Sequence, residues 1–336
     1  MIFMFVAVLF TACQRHDPEV SGMALTFSAT AEDAVQMKGG AGSELTSDSN
    51  LADQSFGIYG MFFDSENATE GTNVFLSSSA MEVTHDGAEW KYSPIAYWNI
   101  NQFYRFRAYH PYKGKAFVVN PLSNTHRLMI EYKIESGQED LLVSFTHVEA
   151  NVINIQKKVP VTFKHALCAL KFKVAFKDSA DIPDDYVDNI TMFHLHGLIP
   201  TGTLVYGHEP GNLLTESMQW IATYYDAGDY FDWTGSKQFG KYDVNDPASA
   251  TTIFDGEEGV VLAIPQEISS TAEKLTSVHF TTSKGGAADH YANLPATEWE
   301  PGKIYTYTLL IEKSDIEVLV SIKDWNEVQS NENIYI

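Results

Sequence analysis

The chain has 336 residues, of which 44% are hydrophobic, so it can bury the cores of one large or two ordinary domains. Its 44 acidic and 22 basic residues give a formal net charge of −22, which disfavours binding to nucleic acid or to anionic lipid. The 17 Tyr and 20 Phe, together with many Thr and Val, favour pleated sheets over helices.

The first residues predict a lipoprotein signal. An apolar run from Ile2 to Phe10 leads to Thr11, Ala12 and Cys13, the arrangement of a short secretory core followed by a cleavage site. Cys13 is the predicted lipidation site, and the mature protein is expected outside the cytoplasm. The run is shorter than the about 20 residues that span a membrane. A buried N-terminal strand is the alternative, and the lack of Lys or Arg before the run suggests a start further upstream.

The cysteine content excludes an internal disulfide. Once Cys13 is lipidated, Cys168 is the only cysteine left. Its neighbours, Ala166-Leu-Cys-Ala-Leu170, are apolar, which indicates a small core residue rather than a nucleophile.

Residues 14–50 are polar and rich in small side chains, which is typical of a tether and a mobile stretch. One short strand is predicted within them. It comprises Ala24, Leu25, Thr26, Phe27, Ser28 and Ala29.

From residue 51 onward the pattern predicts strands separated by turns. In 103–110 the residues alternate, with Tyr104, Phe106 and Ala108 on one face and Arg105 and Arg107 on the other. In 170–177 apolar residues alternate with lysines, which indicates a sheet with one buried and one solvated face. No segment has a sustained helical period. The sequence therefore predicts an all-β protein of antiparallel sheets packed as sandwiches.

The best domain boundary lies near 156–160. It gives an N-terminal β-sandwich domain at 51–157 and a C-terminal β-sandwich domain at 158–336. The stretch 212–249 is predicted as a large insertion or loop on the second domain, and its aromatic residues, set among Gly and Asp, are hard to bury completely. These candidate ligand residues are Trp220, Tyr224, Tyr225, Tyr230, Phe231 and Trp233.

Several motifs follow one another along the chain in a specific order. After the signal ending in Cys13 they are Trp90-x-Tyr-x-Pro-x-x-Tyr-Trp98, Phe106-x-Ala-Tyr-x-Pro111, Phe163-x-His-Ala-Leu167, Leu170-x-Phe-x-Val174, Ile264-Pro-Gln266, Trp299-x-Pro-Gly-Lys-x-Tyr-x-Tyr307 and Val320-x-Ile-x-Asp-Trp-Asn-Glu327. With these motifs the chain resembles the fimbrillin-like proteins of Bacteroidetes, the subunits of type V pili.

The resemblance implies two transthyretin-like antiparallel β-sandwich domains in tandem and export as an outer-membrane lipoprotein on the cell surface. It also implies adhesion and a head-to-tail polymer with other pilin subunits, in which a protease removes the first strand and a neighbour's strand fills the groove. The predicted displaced strand is 24–29. The candidate donor strand is the tail, with Val328, Ile334, Tyr335 and Ile336.

The predicted cleavage site departs from the family pattern. The familiar protease of the family cuts after arginine, but between Val20 and Ile58 the sequence has no arginine and a single lysine, Lys38. Either cleavage uses Lys38 or another site, or the subunit is not processed. An unprocessed subunit would suit a pilus anchor or a surface protein that does not polymerise.

No catalytic motif, cofactor site or metal site is predicted. The acidic run Asp181–Asp188 lacks the glycine and terminal glutamate of a calcium loop, so a solvated loop is favoured. His194 and His196 share a strand face, but no third ligand nearby in sequence supports zinc. Asp178-Ser-Ala180 resembles a short O-glycosylation sequence, with a plain turn as the alternative. His165 is expected to pack or to form a hydrogen bond.

Two functions from different classes remain. The first is a structural pilus subunit that works by strand exchange. The second is a surface lipoprotein that does not polymerise and binds a glycan or a host protein through the aromatic stretch between Trp220 and Trp233. Neither reading requires a cofactor.

Overall fold

The fold is described from a computed structural model. It defines residues 22–31, 55–68, 70–75, 79–114, 117–118, 127–134, 139–179, 181–209, 212–254, 259–268, 275–284, 288–312 and 315–325. Strands dominate these ranges, and short 3-10 helices lie at Asn154–Gln156 and Pro247–Ser249. No helix in the described ranges has the length and hydrophobicity needed to cross a bilayer. The prediction of an all-β protein is confirmed.

The strands are numbered in chain order. They are β1 (Phe27–Ala31), β2 (Ser55–Phe63), β3 (Thr72–Asn73), β4 (Met81–His85), β5 (Trp90–Lys91), β6 (Phe103–His110), β7 (Phe117–Val118), β8 (Arg127–Lys133), β9 (Leu142–Glu149), β10 (Val159–His165), β11 (Cys168–Phe176), β12 (Asp188–Glu209), β13 (Asn212–Phe239), β14 (Thr251–Thr252), β15 (Val260–Ala263), β16 (Glu267–Ile268), β17 (Ser277–Thr282), β18 (Ala288–Asn293), β19 (Thr297–Glu298), β20 (Lys303–Glu312) and β21 (Asp315–Asp324).

Three large sheets contain most of these strands. The N-terminal sheet has the order β1-β10-β9-β6-β2-β4-β5, with β3 paired to β2. The hairpin sheet has the order β18-β17-β12-β8-β7, with β13 paired to β12. The C-terminal sheet has the order β14-β11-β20-β21, with β15 paired to β11, and β16 and β19 form a small separate pair. Most pairs are antiparallel; β1 with β10 and β11 with β20 are parallel.

The N-terminal sheet is covered on both faces. One face packs an aromatic core that includes Phe27, Phe56 and Phe106. The other face packs against strands of the hairpin sheet in a second core. Because this second face is also covered, Arg105 and Arg107 of β6 are buried, at 0% and 2% exposure. The predicted alternation of β6 is confirmed, and both of its faces lie inside the protein.

A third core lies between the C-terminal sheet and the hairpin sheet. It includes Phe172 of β11, Phe193 of β12, Phe280 of β17 and Tyr307 of β20. The strict alternation predicted for β11 holds, since its apolar residues enter this core and Lys171 and Lys173 remain half-buried. The alternation of apolar residues and lysines therefore predicted the buried face of β11 correctly.

Two sets of strand pairs cross the predicted boundary near 157. Strand β10 begins at Val159, yet it lies in the N-terminal sheet between β1 and β9. Strand β8, from the N-terminal half, pairs with β12 along 127–133 and 201–207. The division into two tandem domains stays a prediction. The N-terminal sheet and the hairpin sheet each contain strands from both sides of residue 157.

The stretch 212–249 is not a loop in its first part, which corrects the prediction. Residues Asn212–Phe239 form β13, a strand of 28 residues paired with the 22-residue β12 in a long antiparallel hairpin. Several register shifts interrupt the pairing. Such bulges accommodate the Gly and Asp residues that had suggested a loop.

Candidate functional site

Strand β1 is the edge strand of the N-terminal sheet and pairs on one side with β10, while the residues just before it are bonded to residues 96–98. It pairs in parallel with β10 from Phe27↔Val159 to Ala31↔Phe163. Just before it, the Leu25 amide donates to the Ala96 carbonyl at 2.9 Å, and the Trp98 amide donates to the Met23 carbonyl at 3.1 Å. The segment 23–31 therefore lies in a slot between β10 and residues 96–98.

Alternate side chains of this segment fill the aromatic core. Leu25, Phe27 and Ala29 are 0%, 1% and 1% exposed, whereas Thr26 and Thr30 face solvent. The Phe27 ring lies 5.4 Å from the Tyr92 ring and 5.7 Å from the Phe106 ring. The prediction of a short strand here is confirmed, with β1 itself covering Phe27–Ala31. Removing the segment would open an apolar slot flanked by unpaired backbone groups.

The Tyr92 side chain holds this segment from the core side. Its hydroxyl donates to the Leu25 carbonyl at 2.8 Å and accepts from the Ala96 amide at 3.2 Å. Burial raises the pKa of Tyr92, so the hydroxyl stays protonated and can donate at any physiological pH. Tyr92 is the first tyrosine of the Trp90–Trp98 motif, whose role is therefore to line the slot for the first strand.

Other predicted site residues lie outside the described residues. These are the lipidation site Cys13, the candidate cleavage site Lys38, and the candidate donor residues Val328, Ile334, Tyr335 and Ile336. Their roles stay predictions.

The aromatic candidates of β13 contact the protein interior wherever their side chains are described. The Trp220 indole donates to the Ala166 carbonyl at 2.7 Å, and the Tyr230 hydroxyl donates to the Leu262 carbonyl at 3.1 Å. Phe231 and Trp233 pack on Phe254, with ring centroids 4.9 and 6.4 Å away. Trp220 packs against the second core and Phe231 and Trp233 against the third, while Tyr230 contacts both.

Tyr224 and Tyr225 also lie in β13, where Tyr224 pairs with Thr201 through the backbone. Their side chains lie outside the described part of the structure. A ligand-binding role for the six aromatic residues stays a prediction.

A cavity of about 670 Å³ lies beside Trp220. Its walls also include Gln219, Glu267, Glu298 and the mostly buried Trp299. The Trp220 indole N–H is already bonded, so the ring presents its surface rather than a donor to this cavity. This is the volume range in which small-molecule ligands bind.

The acidic run and the neighbouring turn form internal contacts. Asp184 and Asp178 both pair with Lys241, at 2.9 and 2.8 Å. One carboxylate oxygen of Asp188 accepts from the Lys284 amide and from the Ser283 hydroxyl, each at 2.9 Å. Among the described residues, no group of three or more His, Cys, Asp or Glu side chains could hold a metal ion. Asp181, Asp184 and Asp185 are exposed, as expected for a solvated loop, but Asp188 is buried at the start of β12, which corrects the prediction at that residue. The glycosylation hypothesis stays a prediction.

One histidine escaped the sequence analysis. His279 of β17 lies beside His194 and His196 of β12, with its ring centroid 5.6 and 6.4 Å from theirs. His279 lies more than 80 positions after His194 and His196 in the sequence, so no local spacing could have revealed the group. The only available signal was that His279 also occupies a strand with alternating residues.

Cys168 and His165 lie in the predicted surroundings. The Cys168 thiol is fully buried and donates to the Ala263 carbonyl at 3.3 Å, and burial raises its pKa, so it is unreactive. His165 Nδ1 lies 2.7 Å from an Asp140 carboxylate oxygen, and its ring stacks on Trp325 at 3.9 Å. Two of the sequence motifs, 163–167 and 320–327, therefore meet in space.

A model of the fimbrillin-like family matches residues 46–325. The chain belongs to the fimbrillin-like family. The match covers β2 to β21 and leaves β1 outside. The resemblance inferred from the motifs is confirmed, and the family places the chain among fimbrial proteins of the cell surface.

Solved structures share the fold of this fimbrillin-like chain. A fimbrial protein from Bacteroides vulgatus ATCC 8482 has a TM-score of 0.59 and 16% identity, covering 89% of this chain and 99% of that one. A candidate cell adhesion protein from Bacteroides uniformis ATCC 8492 has a TM-score of 0.51 and 17% identity, covering 90% and 98%. At these identities the likeness shows the fold alone. No curated protein matches the sequence.

Proposed function

We propose that the chain is a structural subunit of a type V pilus, exported as an outer-membrane lipoprotein through Cys13 and assembled by strand exchange. In this scheme the segment 23–31 leaves the N-terminal sheet and a strand of a neighbouring subunit takes its place. The family match supports a fimbrial role, and the position of β1 supports this way of assembling.

The single observation that carries the proposal is that β1 is both an edge strand and a core element. Because it pairs with only one strand of its sheet, its departure breaks the β1–β10 pair and the bonds of residues 23–25 to residues 96–98, and leaves every other strand pair of that sheet intact. Because Leu25, Phe27 and Ala29 are buried, its loss exposes apolar surface that another strand with the same alternation can cover. A subunit whose slot is filled by a neighbour's strand is therefore more stable than one whose slot is open, because the strand buries the exposed apolar side chains and pairs the free backbone groups.

The candidate donor is the tail at 328–336, which ends in the alternating residues Ile334-Tyr-Ile336. A tail that enters the slot of the next subunit makes a heterologous contact, and such contacts propagate into a filament. No enzymatic step by the chain itself is part of this function.

A disulfide that locks β1 in place tests the exchange. Thr30 and Thr162 are direct partners in the β1–β10 pair, and neighbouring strands lie about 4.8 Å apart, within the range for a disulfide. We design the variant Thr30→Cys/Thr162→Cys with a specific protease site inserted after Lys38. After cleavage, the oxidised variant should stay monomeric, and reduction should release the strand and allow a ladder of polymers on a gel.

The matched control carries the protease site and Thr30→Cys alone, and it should polymerise after cleavage with or without reductant. If the oxidised double variant polymerises as readily as this control, β1 is not the strand that is exchanged. Separately, Lys38→Ala in cells should block filament formation if Lys38 is the natural cleavage site. Normal filaments in that strain would exclude Lys38.

The second candidate function is a surface protein that binds a glycan or a host protein without polymerising. The cavity beside Trp220 favours it, because an aromatic surface next to Gln219, Glu267 and Glu298 suits a polar ligand. Trp220→Ala should then abolish binding to host cells. Undiminished adhesion of that variant would remove this candidate.

A further inference from the structure

Large apolar side chains are exposed at one end of the N-terminal sheet, where the parallel strands β1 and β10 begin. Ile95, Tyr97, Val152 and Ile153 are 47–68% exposed, and we call these four residues the end patch. The described part of the chain has eight exposed large apolar side chains, and five of them are Met23 and the members of this patch. Isolated apolar residues are ordinary on a protein surface, but a group of them marks a site of interaction.

Backbone hydrogen bonds bring the two loops of the end patch to the same place. Tyr97 forms a β-bridge with Ala24, in the segment 23–31. The Asn101 amide donates to the Ala150 carbonyl at 2.8 Å, which ties the loop after β9 to the same end of the sheet. The end patch therefore borders the point at which the first strand enters its slot.

Two cations lie beside the end patch. Lys157 and Lys158 are exposed in the loop that leads into β10, and neither forms an ion pair with any described residue. The chain as a whole carries a formal net charge of −22. An exposed pair of lysines next to apolar side chains attracts an acidic partner, and a second copy of this chain is such a partner.

The opposite end of β10 is covered by the chain itself. The His165 ring stacks on Trp325, and the Ala166 carbonyl accepts a hydrogen bond from the Trp220 indole. A neighbouring copy can therefore reach the slot more readily from the end patch than from the end at His165. A contact between the end patch and a different surface of the next copy is heterologous, so it continues in one direction.

We propose that the end patch is a docking surface for a second copy of this chain. The inference rests on the proposed strand exchange and adds to it a surface and a direction. The neighbouring copy contacts the end patch, and its tail enters the slot parallel to β10, in the direction that β1 has in this structure. The apolar contacts at the patch add to the binding free energy that the strand supplies.

The sequence of the tail suits this direction. Residues 326–336 include Glu327 and Glu332, no Lys or Arg, and the apolar run Ile334-Tyr-Ile336. When the tail enters parallel to β10, its apolar run reaches into the slot first. Glu332 then stays at the entrance, beside the two lysines, where opposite charges attract.

Polymerisation of the chain with the protease site after Lys38 tests the docking surface. We expect Ile153→Glu to slow formation of the polymer ladder about 10-fold, because it puts a charge into an apolar contact. Lys157→Glu/Lys158→Glu should slow it as well, and added salt should shrink that effect because it screens exposed charges. These side chains are exposed, so the unfolding curves should stay unchanged.

The matched control is Val244→Glu. The Val244 side chain is exposed to a similar extent, but it follows β13 beside the C-terminal sheet, where the neighbouring Tyr242 amide donates to the Phe176 carbonyl of β11. The same change of valine or isoleucine to glutamate is thus made outside the end patch. Val244→Glu should polymerise at the rate of the unsubstituted chain.

The possible outcomes separate this inference from the proposed function. Equal rates for Ile153→Glu, Val244→Glu and the unsubstituted chain would overturn the docking surface and leave strand exchange intact. An unsubstituted chain that stays monomeric after cleavage would overturn both. If Ile153→Glu polymerises normally but no longer adheres to host cells, the end patch binds a host partner instead of a second copy, which also overturns the inference.

Discussion

At the scale of single residues, Arg105 and Arg107 of β6 differ in how well their buried guanidinium groups are hydrogen-bonded. Arg105 donates to the carbonyls of Glu66 and Ala68, and its guanidinium lies 4.0 Å from the centre of the Phe63 ring. Arg107 is buried with Nε and one terminal nitrogen unbonded. Burial, with the nearby Arg105, lowers the pKa of Arg107 to about 9. Nε of Arg105 is also unbonded and burial lowers its pKa too, but Arg105 makes two hydrogen bonds and a ring contact, so Arg107 is the less favourable of the two buried cations.

We predict that Arg107→Met stabilises the protein. The change removes an unsatisfied buried cation and keeps a long apolar side chain, so the free energy of unfolding should rise by about 1–3 kcal/mol. Denaturant unfolding of both proteins measures the difference. Arg105→Met is the matched control and should be destabilising, because it removes bonded contacts. A loss of stability in Arg107→Met would mean that Arg107 has a partner.

A buried histidine predicts acid sensitivity. His110 Nδ1 lies 3.1 Å from the Ser55 carbonyl, and burial lowers its pKa below 6.5. Burial is also the largest cause that lowers the pKa values of His147 and His290. As the pH falls below about 6.5, these histidines take up protons more readily in the unfolded chain than in the folded one. Their contribution to the free energy of unfolding is therefore fully present above that pH and is lost as the pH falls.

We predict that His110→Asn reduces this loss, since asparagine can donate to Ser55 and does not titrate. The free energies of unfolding at pH 7.5 and 5.5 should differ less in the variant than in the wild type, by up to about 1.4 kcal/mol for each unit of pKa shift. An equal drop in both proteins would exclude His110 as a source of acid sensitivity.

At the scale of elements, β1 contributes more to the stability of the fold than its five residues suggest. Phe27 is 1% exposed and contacts three aromatic rings, those of Phe56, Tyr92 and Phe106. We predict that Phe27→Ala lowers the free energy of unfolding by about 3–5 kcal/mol. Thr30→Ala, on the solvent side of the same strand, should change it by about 0.5 kcal/mol or less. Similar effects from both would mean that β1 is not packed as described.

The strand β13 shows where sequence patterns mislead at this scale. Its Gly and Asp residues resemble turn signals, and the bulges that absorb them are set by pairing with β12. That pairing depends on residues 188–209, which precede β13 in the chain. A local pattern could therefore identify the aromatic residues but not the strand that holds them.

At the scale of the whole molecule, His165 and Trp325 connect the N-terminal sheet with the C-terminal sheet. His165 ends β10 of the N-terminal sheet, and Trp325 follows β21 of the C-terminal sheet. Their rings are stacked and nearly parallel, with an angle of 3° between their planes. Asp140 bonds the other side of the imidazole. The family motifs at 163–167 and 320–327 thus contact each other where the two sheets meet.

We predict a measurable coupling energy between the side chains of His165 and Trp325. In a double-mutant cycle of His165→Ala and Trp325→Ala, the coupling energy should be about 0.5–1.5 kcal/mol, as for other stacked ring pairs. Denaturant unfolding of the four proteins gives this value. Strictly additive effects would mean that the two rings do not support each other.

The sequence by itself determined the all-β fold, the inward face of β11, the first strand and the family, because alternation and motif order are local properties of the chain. Only the tertiary structure decided that both faces of β6 are buried, that β10 completes the N-terminal sheet, and that His279 joins His194 and His196. The physical reason is that burial and side-chain proximity depend on which strands pair, and those partners lie far apart in sequence.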